Sequence, residues 1–167
     1  AGGAFTSLNG LSRSRIAAMD ALTGIPTAWD PGANSTVWCL LPNGSTIYAG
    51  GAFTLMDSLT RSRIAEIDIT TGTPTAWNPS ANNIVYAMAL NGGSLYIGGT
   101  FTTIGGVARS RLAAVSTTSG LLASFNPNVN GTVFALTLQG GRLYFGGAFT
   151  LVGGQSRSEE HTSELQS

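Results

Sequence analysis

An all-β fold is what this sequence predicts, and three observations carry the prediction. The chain holds 23 Gly and only 10% charged residues, against a hydrophobic fraction of 43%. Low charge with abundant Gly, Thr, Ser and Asn suits short strands joined by tight turns, not helices. The second observation is in-register repetition, since Gly2-Gly3-Ala4-Phe5-Thr6 returns at Gly50 and Gly146, and as Gly98-Gly99-Thr100-Phe101-Thr102 between them, 48 residues apart each time. The third is a local period of two within each repeat, the alternation expected of strands.

The landmarks of the repeat keep one register. Arg13-Ser14-Arg15 becomes Arg61-Ser62-Arg63 and Arg109-Ser110-Arg111; Trp29 becomes Trp77 and then Phe125; Tyr48 becomes Tyr96 and Tyr144. Residues 2–49 and 50–97 are identical at 25 of 48 positions. The repeat units are therefore 2–49, 50–97, 98–145 and a partial 146–158.

Each unit is expected to hold four short strands. Val37-Trp38-Cys39-Leu40-Leu41 alternates large and small residues, as do Val85–Ala89 and Val133–Leu136, which predicts a first strand buried on both faces. Asn43-Gly44, Asn91-Gly92 and Gln139-Gly140-Gly141 then signal hairpins. The return strand is Ile47-Tyr48-Ala49 or its equivalents, ending at the Gly-Gly pair. A third strand is expected to start at the second Arg, as in Arg63-Ile64-Ala65-Glu66-Ile67, and a short fourth to end at Trp29, Trp77 or Phe125.

Four short strands in such a length is the size of a β-propeller blade. A β-solenoid usually has shorter coils without internal hairpins, and a β-sandwich would not repeat its sequence in register. The expected fold is an open all-β propeller fragment of four-stranded antiparallel blades. Val37–Trp77 and Val85–Phe125 would be its two full blades, with a partial blade at each end.

These motifs resemble the delta-60 repeat family, bacterial propeller repeats of unassigned function. The shared pattern runs Gly-Gly-x-Phe-Thr, Arg-x-Arg-(Ile/Leu)-Ala, Asp-x-x-Thr-Gly, Trp-(Asn/Asp)-Pro, then Leu-Tyr-x-Gly-Gly, and covers essentially residues 1–158. The resemblance implies an extracellular or cell-surface location and implies no chemistry. Asp20-x-x-Thr23-Gly24 before Trp29, and Asp68-x-x-Thr71-Gly72 before Trp77, also resemble the blade-docking motif of quinoprotein dehydrogenases. The Trp stands one residue further from the Gly than in that motif, and Ser116 replaces the third Asp. This likeness implies blade packing and not a quinone cofactor.

The repeat fails after Ser158. Residues 157–167 read like a translated sequencing adapter, and the expectation is an artefactual, disordered tail outside the fold of residues 1–156. That tail contains His161, the chain's one histidine, together with Glu159, Glu160 and Glu164. Without it, seven Arg face five acids (Asp20, Asp30, Asp57, Glu66 and Asp68). Ala1 lies inside a repeat and no signal peptide is visible.

These counts exclude much chemistry. General acid–base work most often needs a His, and a Ser-His-Asp or Cys-His centre has none here. One Cys excludes an internal disulfide framework or a multi-Cys metal site, and Cys39 aligns with Ala87 and Ala135 as a small buried residue. No Asp-x-Asp-x-Asp calcium loop or phosphate-cradling glycine frame is present. No cofactor is expected. Near-neutral charge argues against nucleic-acid partners, and no apolar run approaches the roughly 20 residues of a membrane span, so no membrane insertion is expected.

The repeating residues have structural expectations. Asp20 and Asp68 should accept backbone N–H bonds at Thr-Gly turns. The glycine pairs should permit positive φ or close approach between blades, and Phe5, Phe53, Phe101 and Phe149 should fill the core. Asn34, Asn43 and Asn130 stand in glycosylation sequons, which turn chemistry explains equally well. The Arg pairs (Arg13 and Arg15, Arg61 and Arg63, Arg109 and Arg111) should project to one side of a strand. They would either bond carbonyls or an Asp of the next blade, or form an anion-attracting rim for acidic ligands.

Two functions follow as expectations. The first is a non-catalytic, secreted or surface-exposed module, a binding surface or spacer, whose partners are a glycan or protein ligand and the remaining blades of its parent. The alternative is a fragment of a quinoprotein-type or polysaccharide-active propeller enzyme with its catalytic residues elsewhere. The open arc is expected to self-associate through exposed faces and strand edges.

Overall fold

The computed structural model describes residues 1–156 and the backbone of Ser163–Gln166. Among these, every regular element is a β-strand. A hairpin of β1 (Ser7–Leu8) and β2 (Leu11–Ser12) comes first. Then β3 (Val37–Asn43), β4 (Thr46–Gly51) and β7 (Ile64–Asp68) form an antiparallel sheet in that order, with a hairpin of β5 (Leu55–Met56) and β6 (Leu59–Thr60) between β4 and β7 in sequence. The plan recurs with β8 (Val85–Asn91), β9 (Ser94–Gly99) and β12 (Leu112–Ser116), interrupted by β10 (Thr103–Ile104) and β11 (Val107–Ala108).

In the last sheet β13 (Thr132–Gln139) pairs β14 (Arg142–Ala148), followed by the hairpin of β15 (Leu151–Val152) and β16 (Gln155–Ser156). Its third strand is β17 (Ser163–Gln166). The disorder expected of residues 157–167 therefore does not hold for these four, and the rest of that tail, His161 included, lies outside the described residues. Its register is its own: Arg142 faces Gln166, whereas the equivalent Thr46 faces Asp68, which would place residue 164 there.

Turn chemistry fixes the first hairpins. Gly44, Gly92 and Gly140 open the two-residue turns with φ of 59°, 53° and 56°, a conformation that disfavours residues with a Cβ. The small hairpins come in addition to the four strands expected of each unit, and Asn9-Gly10 and Gly105-Gly106 are strong signals for them. Both central residues have positive φ there (49° and 78°; 56° and 80°), as type I′ turns require.

Two expected elements differ. The fourth strand is reduced to an isolated bridge, Met19 to Pro26, Ile67 to Pro74 and Val115 to Leu122. Proline supplies no donor to extend the ladder in the first two copies. The third strand starts one residue late, because Arg15, Arg63 and Arg111 sit at φ of 65°, 68° and 64°, outside strand geometry.

The core runs between sheets, not only within them. Tyr48, Ile64 and Trp77 pack with Val85, Ile97, Phe101 and Val115 in one buried cluster. Ile16 joins Val37, Phe53 and Ile67 in a second, and Tyr96 joins Val133, Phe145 and Phe149 in a third. Close approach accounts for the glycine pairs. A Cβ on Gly50 would stand 2.8 Å from Val85 Cγ1, and one on Gly51 would stand 2.2 Å from the Thr36 carbonyl oxygen.

Tryptophan fastens neighbouring units. Trp29 Nε1 donates to the Asp68 carbonyl at 3.0 Å, and Trp77 Nε1 donates to the Ser116 carbonyl at 2.9 Å. Asparagine clasps the small hairpins: Asn34 Oδ1 accepts from the Thr54 and Leu55 N–H groups while its amide donates to Thr54 Oγ1. Asn82 and Asn130 repeat that clasp.

Candidate functional site

The sheets bring together one set of side chains that fold construction does not consume. On β3, β8 and β13 the ladder skips a residue, pairing Val37 and Cys39, Val85 and Ala87, and Val133 and Ala135 with consecutive glycines. The skipped residues are Trp38, Tyr86 and Phe134. A bulge re-aims the extra side chain and leaves it outside the pairing. The first strands lie side by side, so the three rings meet: Trp38 and Tyr86 at 5.6 Å between centroids, Tyr86 and Phe134 at 5.2 Å.

This ladder is open to solvent at both ends, with Trp38 54% and Phe134 53% exposed and Tyr86 half-buried between them. The expectation of a first strand buried on both faces therefore holds only in part. β8 is mostly buried in the middle of the stack, whereas β3 and β13 each present their bulged ring. Alternation alone could not reveal the bulge; the aromatic at the same offset in three repeats was the available signal.

The arginines lie elsewhere. Arg13, Arg61 and Arg109 each donate Nη1 to the preceding carbonyl (Ser12, Thr60, Ala108) and Nη2 to a carbonyl 14 residues on (Thr27, Thr75, Ala123). Arg13 also meets Asp30 at 3.5 Å. Arg63 donates to the Ala52 and Phe53 carbonyls and Arg15 to that of Ala33. Arg15, Arg63 and Arg111 are half-buried in the left-handed conformation, so the two arginines of a pair do not project together from one strand. The donors of the first arginines hold their own unit together.

The acids also have structural posts. Asp20 Oδ1 accepts from the Thr23 and Leu22 N–H groups, and Asp68 Oδ1 from those of Thr71 and Thr70. These bonds favour the ionised form, with Thr23 and Thr71 contributing most, and hold both carboxyls below the usual value. Ser116 Oγ takes the same place with Thr118 and Ser119. Glu66 accepts from Thr46 Oγ1 at 3.0 Å and Thr75 Oγ1 at 2.7 Å. Burial, with Glu66 second, pushes the Tyr48 phenol up to about 12. Burial likewise raises the Cys39 thiol to about 12, leaving it protonated and weakly nucleophilic at neutral pH. Among the described residues no three His, Cys, Asp or Glu side chains gather as a metal site would require.

Comparison with known proteins adds the fold alone. No described protein family and no curated protein matches the chain. The solved structures that are similar include two computationally designed proteins. The computationally designed Ika4 protein matches at 16% identity and a TM-score of 0.58, over 89% of this chain and 76% of that one. The computationally designed Ika8 protein matches at 19% identity and a TM-score of 0.55, over 87% of this chain and 43% of its own length.

Proposed function

We propose that the three sheets are successive blades of a β-propeller, and that the chain is a non-catalytic binding module of a secreted or cell-surface bacterial protein. The observation that carries the binding role is the Trp38–Tyr86–Phe134 ladder. Large rings normally fill a core, and here three stand in contact on the surface at bulged positions. Contiguous exposed aromatic area marks an interaction surface. Its uncharged rings suit the C–H faces of consecutive neutral sugar units better than an anionic ligand. The delta-60 resemblance supports the extracytoplasmic setting.

The test is a titration of the chain with neutral and acidic oligosaccharides, read by tryptophan emission and calorimetry. Saturable binding of a neutral glycan is expected, with Trp38→Ala weakening it at least about tenfold, the scale of one lost aromatic contact with its buried area. Undiminished affinity in Trp38→Ala, or no binding by any glycan, would refute the reading.

A further inference from the structure

One of the paired arginines is left without a structural task. Arg63 donates to the carbonyls of Ala52 and Phe53, and Arg15 to that of Ala33, each within its own repeat unit. Arg111 shares their left-handed backbone, at φ 64°, and its N–H donates to the Phe101 carbonyl as that of Arg63 does to Phe53. Its guanidinium nevertheless makes no hydrogen bond or ion pair among the described residues. The equivalents of the partners that Arg15 and Arg63 use are Thr100, Phe101 and Val129, and all three are present in the fold. Residues 98–145 hold no acid that could take their place.

A change at position 100 coincides with this release. The other units have Ala4, Ala52 and Ala148 where the third has Thr100. The Arg111 carbonyl accepts from the Gly99 N–H, and its N–H donates to the Phe101 carbonyl, so Thr100 stands directly across from Arg111. A threonine adds a hydroxyl and a methyl beside the backbone where Arg63 docks in the second unit. The Thr100 hydroxyl is itself buried and has no partner, a costly state for a polar group. A third uncommitted donor lies alongside. The Thr100 N–H bonds to the Ile84 carbonyl at 2.9 Å, which brings Asn83, the preceding residue, to the same place. Asn83 is exposed, and its Oδ1 accepts from the Ile84 N–H at 2.8 Å while its amide NH₂ makes no bond among the described residues. Ser35 and Gly131 occupy the equivalent positions, so this set of donors occurs at one unit boundary only.

We propose that Asn83, Thr100 and Arg111 form an oxyanion site that takes a carboxylate or sulfate group of a ligand. The guanidinium fork can pair with two oxygens of such a group, a geometry an ammonium lacks. The Asn83 amide donates from the open side, and the Thr100 hydroxyl reaches the group by rotation about its Cα–Cβ bond. The site is distinct from the aromatic ladder and does not depend on what the ladder binds.

The test follows the guanidinium Nε–H signals of the full chain by nuclear magnetic resonance during titration with glucuronate, glucose sulfate, glucose and sodium chloride. Glucuronate or glucose sulfate is expected to shift the Arg111 signal saturably and to leave those of Arg61 and Arg109 in place; the tighter of the two identifies the group. Thr100→Val keeps the branched side chain and removes the hydroxyl, and should weaken binding about tenfold, the scale of one hydrogen bond to a charged group. Thr100→Ala restores the alanine found beside Arg63 and should weaken binding at least as much. Trp38→Ala should leave it unchanged. The absence of a saturable shift, an equal shift with glucose or with chloride, or undiminished affinity in Thr100→Val overturns the proposal. Loss of the shift in Trp38→Ala would put the anion on the ladder and overturn it equally.

Discussion

A glycine, an aspartate and a tryptophan show how closely single residues are specified here. A Cβ on Gly99 would stand 2.0 Å from the Ile84 carbonyl oxygen, so Gly99→Ala must shift backbone. It should destabilise the chain by about 1–3 kcal/mol in urea unfolding, the usual cost of overpacking. Asp68 makes a pH-dependent contribution. Its folded carboxyl lies below the ordinary 3.8, so the stabilisation is complete above that value and is lost as pH falls through the depressed folded value. Asp68→Ser should keep the turn, as Ser116 does. The difference in Tm between the two chains should stay constant above pH 3.8 and narrow below it. Trp77→Phe removes one N–H donor and should cost about 1 kcal/mol, against about 3–5 for Trp77→Ala, because most of what the ring contributes is burial.

At the level of elements, the hairpins and sheets divide the chain into parts of unequal stability. β8 and β9 are covered on both sides by neighbouring sheets, whereas β1–β2 and β15–β16 are two-residue ladders largely exposed at the ends. Amide hydrogen exchange should therefore be slowest in β8 and β9 and fastest in the terminal hairpins. The strand order and the first hairpins were legible in the sequence because alternation and Asn-Gly turns are local signals. The bulges were not, because a skipped residue leaves the alternation of Val37-Trp38-Cys39 intact and shows only in the pairing with Gly51 and Gly50. The Arg-Ser-Arg pairs were misplaced for a related reason. Spacing at i and i+2 implies one face only on an extended chain, and Arg63 at φ 68° is not extended. The aromatic ladder needs three sheets in contact before it exists, so no single repeat could announce it.

On the scale of the whole molecule, contacts between units resemble contacts within them. Clusters cross the sheet boundaries, and each tryptophan bond reaches from one unit to the next. Unfolding should then be cooperative across the middle of the stack while the ends open first, as in other repeat proteins with nearest-neighbour coupling. Trp38→Ala should change this profile little, because a half-exposed ring contributes mainly to the surface it makes. A thermal midpoint within a few degrees of the parent chain would separate the ladder's proposed binding role from a structural one.

The Trp29–Asp68 and Trp77–Ser116 bonds have a hereditary consequence. Both ends of each bond shift together with the repeat, as do the Gly50–Val85 and Gly98–Val133 contacts. Unequal recombination that duplicates or deletes one 48-residue segment would leave every surviving unit with a neighbour of the right shape. A gain or loss of one repeat would therefore keep the register of these contacts, while the rings meeting along positions 38, 86 and 134 would change partners.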